Sequence, residues 1–203
     1  MRAIVITRPD FFMEEASLVN RLFAAGMERL HLRKPGASEE QLAEWLRSID
    51  SRFHRSIVLH DCFSLVKSFH LGGVHLNSRN PQVPGFLSME LSSGQITVSR
   101  SCHSIVEVQK HKAGCSYLFL SPIYDSISKE GYGAAFSRAE LEQAAADGII
   151  DSKVYALGGV NAEHIPELQR FGFGGAAVLG ALWQSGNPVE YLHSLKNGLR
   201  AES

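Results

Sequence analysis

The feature that most constrains this chain is an alternation carried along its whole length. A short apolar run is followed by a longer segment with apolar residues at helical spacing, and the unit recurs eight times. The strand candidates are Ala3 to Thr7, Arg29 to Arg33, Ser56 to Leu59, Gly73 to Leu76, Gln95 to Ser99, Tyr117 to Leu120, Val154 to Leu157 and Gly175 to Leu179. The intervening helices are predicted over Met13 to Ala25, Ser38 to Phe53, Cys62 to Phe69, Ser104 to Ala113, Ser137 to Asp147 and Asn161 to Phe171. A last helix starts at Asn187 with Pro188 in its first turn, where a missing N–H costs nothing. Ser38 with Gln41, Ser104 with Glu107 and Ser137 with Glu140 each have capping-box spacing, which satisfies the free N–H groups of a helix start. Residues 77 to 94 are polar and broken by Gly and Pro, so the fourth helix is expected to be short or irregular.

Strict strand–helix alternation demands parallel strands joined by helical crossovers, and eight units fit a closed barrel. The predicted fold class is α/β, a (β/α)8 TIM barrel of phosphate-binding type, with residues 1 to 203 as one domain. A doubly wound open sheet is the competing architecture. The 203 residues are fewer than the roughly 250 usual for the barrel, which implies few inserted loops.

Composition removes several function classes. With 20 Lys and Arg against 21 Asp and Glu, the chain lacks the basic excess by which proteins displace counterions from nucleic acid. No stretch approaches the roughly 18 apolar residues of a membrane span. The apolar run at the N-terminus is too short for a secretory signal core of about 7–15 residues, so a cytoplasmic protein is expected. Cys62, Cys102 and Cys115 are odd in number and lack CxxC spacing, which argues against disulfides and a thiolate zinc site. The nine histidines show no HxxxH or HExxH pattern.

In a closed barrel the chemistry sits where the strands end. Those ends read Arg33-Lys34, His60-Asp61, Asn77 to Asn80, Arg100-Ser101, Ser121 to Lys129, Gly158-Gly159 and Leu179-Gly180. Cations, hydroxyls and glycines dominate, a set suited to phosphate. Glycines after strands seven and eight let backbone N–H groups approach an anion closely. Ser126, Ser128 and Lys129 place two hydroxyls beside a cation, a group able to stabilise charge on a leaving diphosphate. Arg33 ends an apolar strand and needs an anion, either a substrate or a neighbouring carboxylate. Asp61 fits both a magnesium ligand and a helix cap. His31 and His75 lie within strands, where hydrogen-bonded structural histidines are commoner than ligands.

The segments HLRKPG (31–36), LHD (59–61), GGVHL (72–76), SRSCHS (99–104), SPIYDSISK (121–129), ALGGV (156–160) and GGAAVLGAL (174–182) together resemble the thiamine phosphate synthase family and its relative, the thiazole tautomerase family. The resemblance implies a transferase that joins a pyrimidine methyl diphosphate to a thiazole phosphate with magnesium, expelling pyrophosphate through a pyrimidine-stabilised carbocation. It implies catalytic roles for Arg33, Lys129 and Ser101, with Asp61 and Asn80 at the metal. His31, Lys34, His60, Ser126, Ser128, Gly159, Leu179 and Gly180 would bind substrate, the last three holding the thiazole phosphate. Small phosphorylated substrates are the implied partners, and a homo-oligomer is left open. Departures from the pattern are specific. The family's REK triplet is Arg33-Lys34-Pro35, so Lys34 would have to supply the missing lysine. His60 stands for an asparagine, Asn80 for the second magnesium aspartate, and Pro122 for the tautomerase histidine. A tautomerase-like isomerase and a non-catalytic binder of thiazole or thiamine phosphate are therefore the alternatives.

Overall fold

Eight short strands, seven of them buried along most of their length, close on one another in chain order: β1 (Arg2–Ile6), β2 (Leu30–Leu32), β3 (Ile57–Leu59), β4 (Gly73–Leu76), β5 (Thr97–Cys102), β6 (Tyr117–Leu120), β7 (Val154–Ala156) and β8 (Gly175–Val178). All pairs are parallel, and β8 returns to β1 with Arg2 opposite Gly175 and Val5 opposite Val178. The closed TIM barrel is therefore the architecture, and the open sheet is excluded. The computed structural model describes residues 1–125 and 133–200.

The two-residue period of a strand divides the core in two. Ile4, Ile6, Tyr117, Phe119, Tyr155 and Ala177 fill the barrel interior. Alternate residues, Ala3 and Val5 or Leu118 and Leu120, pack outward against the helices in the larger cluster. Those helices are α1 (Glu15–Ala24), α2 (Glu39–Arg47), α3 (Leu65–Ser68), α4 (Ser88–Ser92), α5 (Ile105–His111), α6 (Arg138–Ala146), α7 (Ile165–Arg170), α8 (Gly180–Trp183) and α9 (Pro188–Arg200). No helix of the described residues is long and apolar enough to cross a membrane.

Four local readings change. The helix expected to reach Phe53 ends at Arg47, and a 3-10 turn over Ser51–Ser56 carries the chain into β3. Ser38 and Ser137 close full capping boxes, but Glu107 accepts from the backbone N–H of His103 instead of reaching back to Ser104. Strand β5 runs on to Cys102, so Arg100 and Ser101 belong to the strand and not to the loop after it. The short α8 immediately after β8 was not anticipated.

Candidate active site

A cavity of about 1050 Å³ opens at the C-terminal mouth of the barrel. Arg33, His60, Arg100, Ser101, Gly159, Leu179 and Gly180 line it, so seven of the positions singled out from sequence meet in one space. A hollow of about 770 Å³ at the opposite end is lined by Arg2, Glu28 and Arg29, where this fold does not place chemistry. Ser126, Ser128 and Lys129 lie outside the described residues.

His60 and His75 form part of the cavity floor, with His31 beneath them. His31, His60 and His75 stand on or just past three adjacent strands, β2, β3 and β4, and offer ring nitrogens within 4.8 Å of one another. Arg29 Nη1 donates to Thr97 Oγ1 (2.7 Å) and approaches the Tyr117 hydroxyl (3.5 Å), which bonds His31 Nε2 at 2.7 Å. His31 Nδ1 bonds His60 Nε2 at 2.9 Å. His75 lies between two hydroxyls, Ser99 on Nδ1 and Ser101 on Nε2, both at 2.9 Å. His60 and His75 stack at 4.1 Å. Spacing in the sequence gives no hint of this cluster. Burial, reinforced by neighbouring Arg100 and Arg33, pulls His75 down to about 3. Burial also takes His31 and His60 well below the usual imidazole value. All three are neutral near pH 7.

This arrangement makes stability depend on pH. An unfolded histidine takes its proton near 6.5, whereas native His75 resists it down to about 3. Between those values the unfolded state binds more protons, so stability falls as pH drops through that window. His75 alone contributes a slope of about 1.4 kcal/mol per pH unit. Urea unfolding followed from pH 7 to pH 4 should show that loss, and His75→Asn should lessen it, with His31 and His60 keeping the rest. A midpoint that stays level across the window would contradict the neutral floor.

Two predicted residues take different places. Lys34 is 2% exposed and bonds Glu15 Oε1 (2.7 Å) and the Asp10 carbonyl (2.6 Å), so it faces the helices and cannot replace the missing lysine. Alternation along β2 explains this: His31 and Arg33 point inward, Leu32 and Lys34 outward. His31 itself is sealed beneath the floor with no exposed surface, bonding His60 and packing against His75 and Phe119, which line the cavity.

Magnesium requires a cluster of oxygen ligands with net negative charge. Here Asp61 accepts Arg79 Nε on Oδ1 (3.1 Å) and Arg79 Nη2 on Oδ2 (2.9 Å). Asn80 aims its amide Nδ2 at both Asp61 Oδ1 (2.8 Å) and the His60 carbonyl (3.2 Å). Both of those partners accept, so the amide nitrogen, not its oxygen, must face them. The donor set does not fit a divalent cation. Asp61 is not a helix cap either, because no side chain caps α3. Arg79 was the residue missed in sequence. Its signal was a lone cation between Ser78 and Asn80, inside the strand-end segment Asn77 to Asn80, and the sequence reading gave that cation no role of its own.

Across the cavity, Gly158 and Gly159 turn with φ of 89° and 64°. A Cβ on Gly159 would lie 2.2 Å from the Asp125 carbonyl oxygen. Gly159 after β7 and Leu179 and Gly180 after β8 line the same cavity, at the place where such barrels build phosphate sites. Ser101 lines the same space with its hydroxyl held by His75.

Comparison with known proteins agrees along the whole barrel. The family model for thiamine monophosphate synthase matches residues 3–182. A crystal structure of thiamine phosphate pyrophosphorylase from Bacteroides thetaiotaomicron is 39% identical, covers 100% of both chains and superposes with a TM-score of 0.88. A putative thiamine-phosphate synthase of Geobacter sulfurreducens is 27% identical over 88% of this chain and 84% of its own. The thiamine-phosphate synthase of Archaeoglobus fulgidus is 24% identical over 96% of this chain and 94% of its own.

Proposed function

This chain belongs to the thiamine monophosphate synthase family, and from that premise we propose that it is a transferase coupling a pyrimidine methyl diphosphate to a thiazole phosphate. The observation that carries the reading is one cavity with anion-suited groups on two walls. Arg33 supplies one wall: its guanidinium has no hydrogen-bond partner among the described residues, while Thr7 holds its backbone through bonds of 2.9 and 3.1 Å. Gly159, Leu179 and Gly180 supply the other.

The chemistry suits that division. The methylene C–O bond breaks with its electron pair going to the diphosphate, and the thiazole nitrogen lone pair forms the new C–N bond. The products are a thiazolium phosphate and pyrophosphate, with no proton or electron left over. Positive charge develops on the pyrimidine methylene, so cations belong at the diphosphate and not beneath the ring. Neutral His60 and His75 with Phe119 give such a floor. Lys129 stabilises the departing diphosphate from the Ser121 to Lys129 segment. A cytoplasmic setting is part of the same proposal, since both substrates are charged phosphate esters.

Mass spectrometry of a mixture of protein, pyrimidine diphosphate and thiazole phosphate tests the reading. Thiamine phosphate should accumulate over many turnovers, and folded protein that yields none would refute it. Lys129→Ala should lower kcat by roughly 10²–10³-fold, the scale of losing one preorganised charge stabiliser. Turnover near wild type would remove Lys129 from the mechanism.

A further inference from the structure

We propose that this protein binds the diphosphate group through a guanidinium clamp built on Arg79 and Arg33, with Asp61 anchoring Arg79 instead of coordinating a divalent cation. The inference rests on the transferase reading above for the identity of the diphosphate, but the clamp is a property of the residues themselves.

Arg79 is a built feature of the cavity wall. Its side chain is 51% exposed while Asp61 is 19% exposed, so the carboxylate is the sheltered member and the guanidinium reaches solvent. The loop that carries it is ordered by Asn77, whose Oδ1 accepts the backbone N–H groups of Arg79 (2.9 Å) and Asn80 (3.0 Å). Asn77 Nδ2 in turn donates to the His60 carbonyl at 2.7 Å. A guanidinium carries five N–H donors, and the fork on Asp61 uses two of them. The remainder are available to an oxyanion, and Arg79 lines the cavity.

Charge points the same way. Arg33 lies close enough to Arg79 and Asp61 for both to act on it. Burial and the Arg79 charge lower its basicity, and Asp61 opposes them. Arg100 also lines the cavity and donates to the Pro81 carbonyl. Two carboxylates stand among these three arginines, Asp61 and Glu107. Asp61 is occupied on both oxygens, and Glu107 accepts the His103 N–H at 2.6 Å. The excess is positive, which favours a polyanion and opposes a metal ion. Planar forks match phosphate oxygens bidentately, so two guanidinium groups can take over charge neutralisation otherwise supplied by a cation.

The test combines binding with turnover. Inorganic pyrophosphate is titrated calorimetrically into the full-length protein in EDTA, and the coupling assay is run in EDTA and in magnesium. The wild type should bind pyrophosphate without metal. Arg79→Ala, shown to be folded by circular dichroism, should bind roughly 10–100-fold more weakly in EDTA, as expected for lost bonds to a charged group. Coupling in EDTA should run within about threefold of the magnesium rate. Pyrophosphate binding that appears only with magnesium would overturn the clamp, as would an Arg79→Ala variant that binds as tightly as wild type. Metal-free binding weakened in Arg79→Ala, with no thiamine phosphate formed under any condition, would uphold the clamp and refute the transferase reading. Coupling that requires magnesium would do the reverse.

Discussion

Glu15→Ala should destabilise the fold by about 3–5 kcal/mol, the cost of leaving one member of a buried ion pair without its partner. Glu15 is 1% exposed and Lys34 is 2% exposed. Their 2.7 Å bond joins the first turn of α1 to the end of β2. Trp45 of α2 donates to the other Glu15 oxygen at 3.1 Å, and Lys34 also bonds the Asp10 carbonyl at 2.6 Å. Burial pushes the Glu15 carboxyl up and the Lys34 ammonium down, and each charge holds the other ionised against that pressure. Removing the carboxylate strands the ammonium with one carbonyl and the Phe11 ring, 4.7 Å away. Lys34→Met should cost a similar amount by exposing the opposite fault. The double variant Glu15→Leu with Lys34→Met removes both charges and should recover most of the loss, because the desolvation of both groups disappears with their attraction. Urea unfolding of the four proteins measures this directly. A single-variant cost under about 1 kcal/mol would show that water reaches the pair.

Much of this was readable in the chain because parallel barrel strands are buried on both faces. They appear as continuous apolar runs, and Tyr117–Leu120 and Gly73–Leu76 fall where the runs lie. The reading of β5 stops at Ser99 because Arg100 and Ser101 are polar. The hydroxyls of Ser99 and Ser101 satisfy His75 inside the barrel, a reason for polarity that only the neighbouring strand supplies. The histidine cluster was hidden for the same reason. Positions 31, 60 and 75 share no spacing, and the stagger of β2, β3 and β4 puts them at one level. Lys34 was assigned to the substrate although the same alternation argues against it: one step beyond an inward Arg33, it turns away from the cavity to Glu15. Asp61 could be recognised as a strand-end carboxylate, but its partner could not. Whether a carboxylate meets a metal or a guanidinium depends on a side chain eighteen positions away, across a loop.

The wall proposed for the thiazole phosphate makes the sharpest demand on a single residue. Gly159→Ala should cost about 2–5 kcal/mol of stability and raise KM for the thiazole phosphate at least tenfold, by roughly the sum of two separate faults. The first is conformational: φ of 64° is left-handed, where a Cβ is unfavourable. The second is steric: the new Cβ would sit 2.2 Å from the Asp125 oxygen and 2.7 Å from the Tyr124 carbonyl carbon, both backbone atoms that cannot rotate away. Gly94→Ala separates the two, because Gly94 has φ of 71° but nothing within 4 Å of its added Cβ. That control should lose only about 1 kcal/mol and keep its KM. The difference between the variants is then the cost of displacing the 121–125 segment from the glycine turn against which it packs. Kinetics with the thiazole phosphate varied, alongside thermal unfolding, give both numbers. A Gly159→Ala enzyme with KM within about twofold of wild type would place the phosphate somewhere other than the β7 loop.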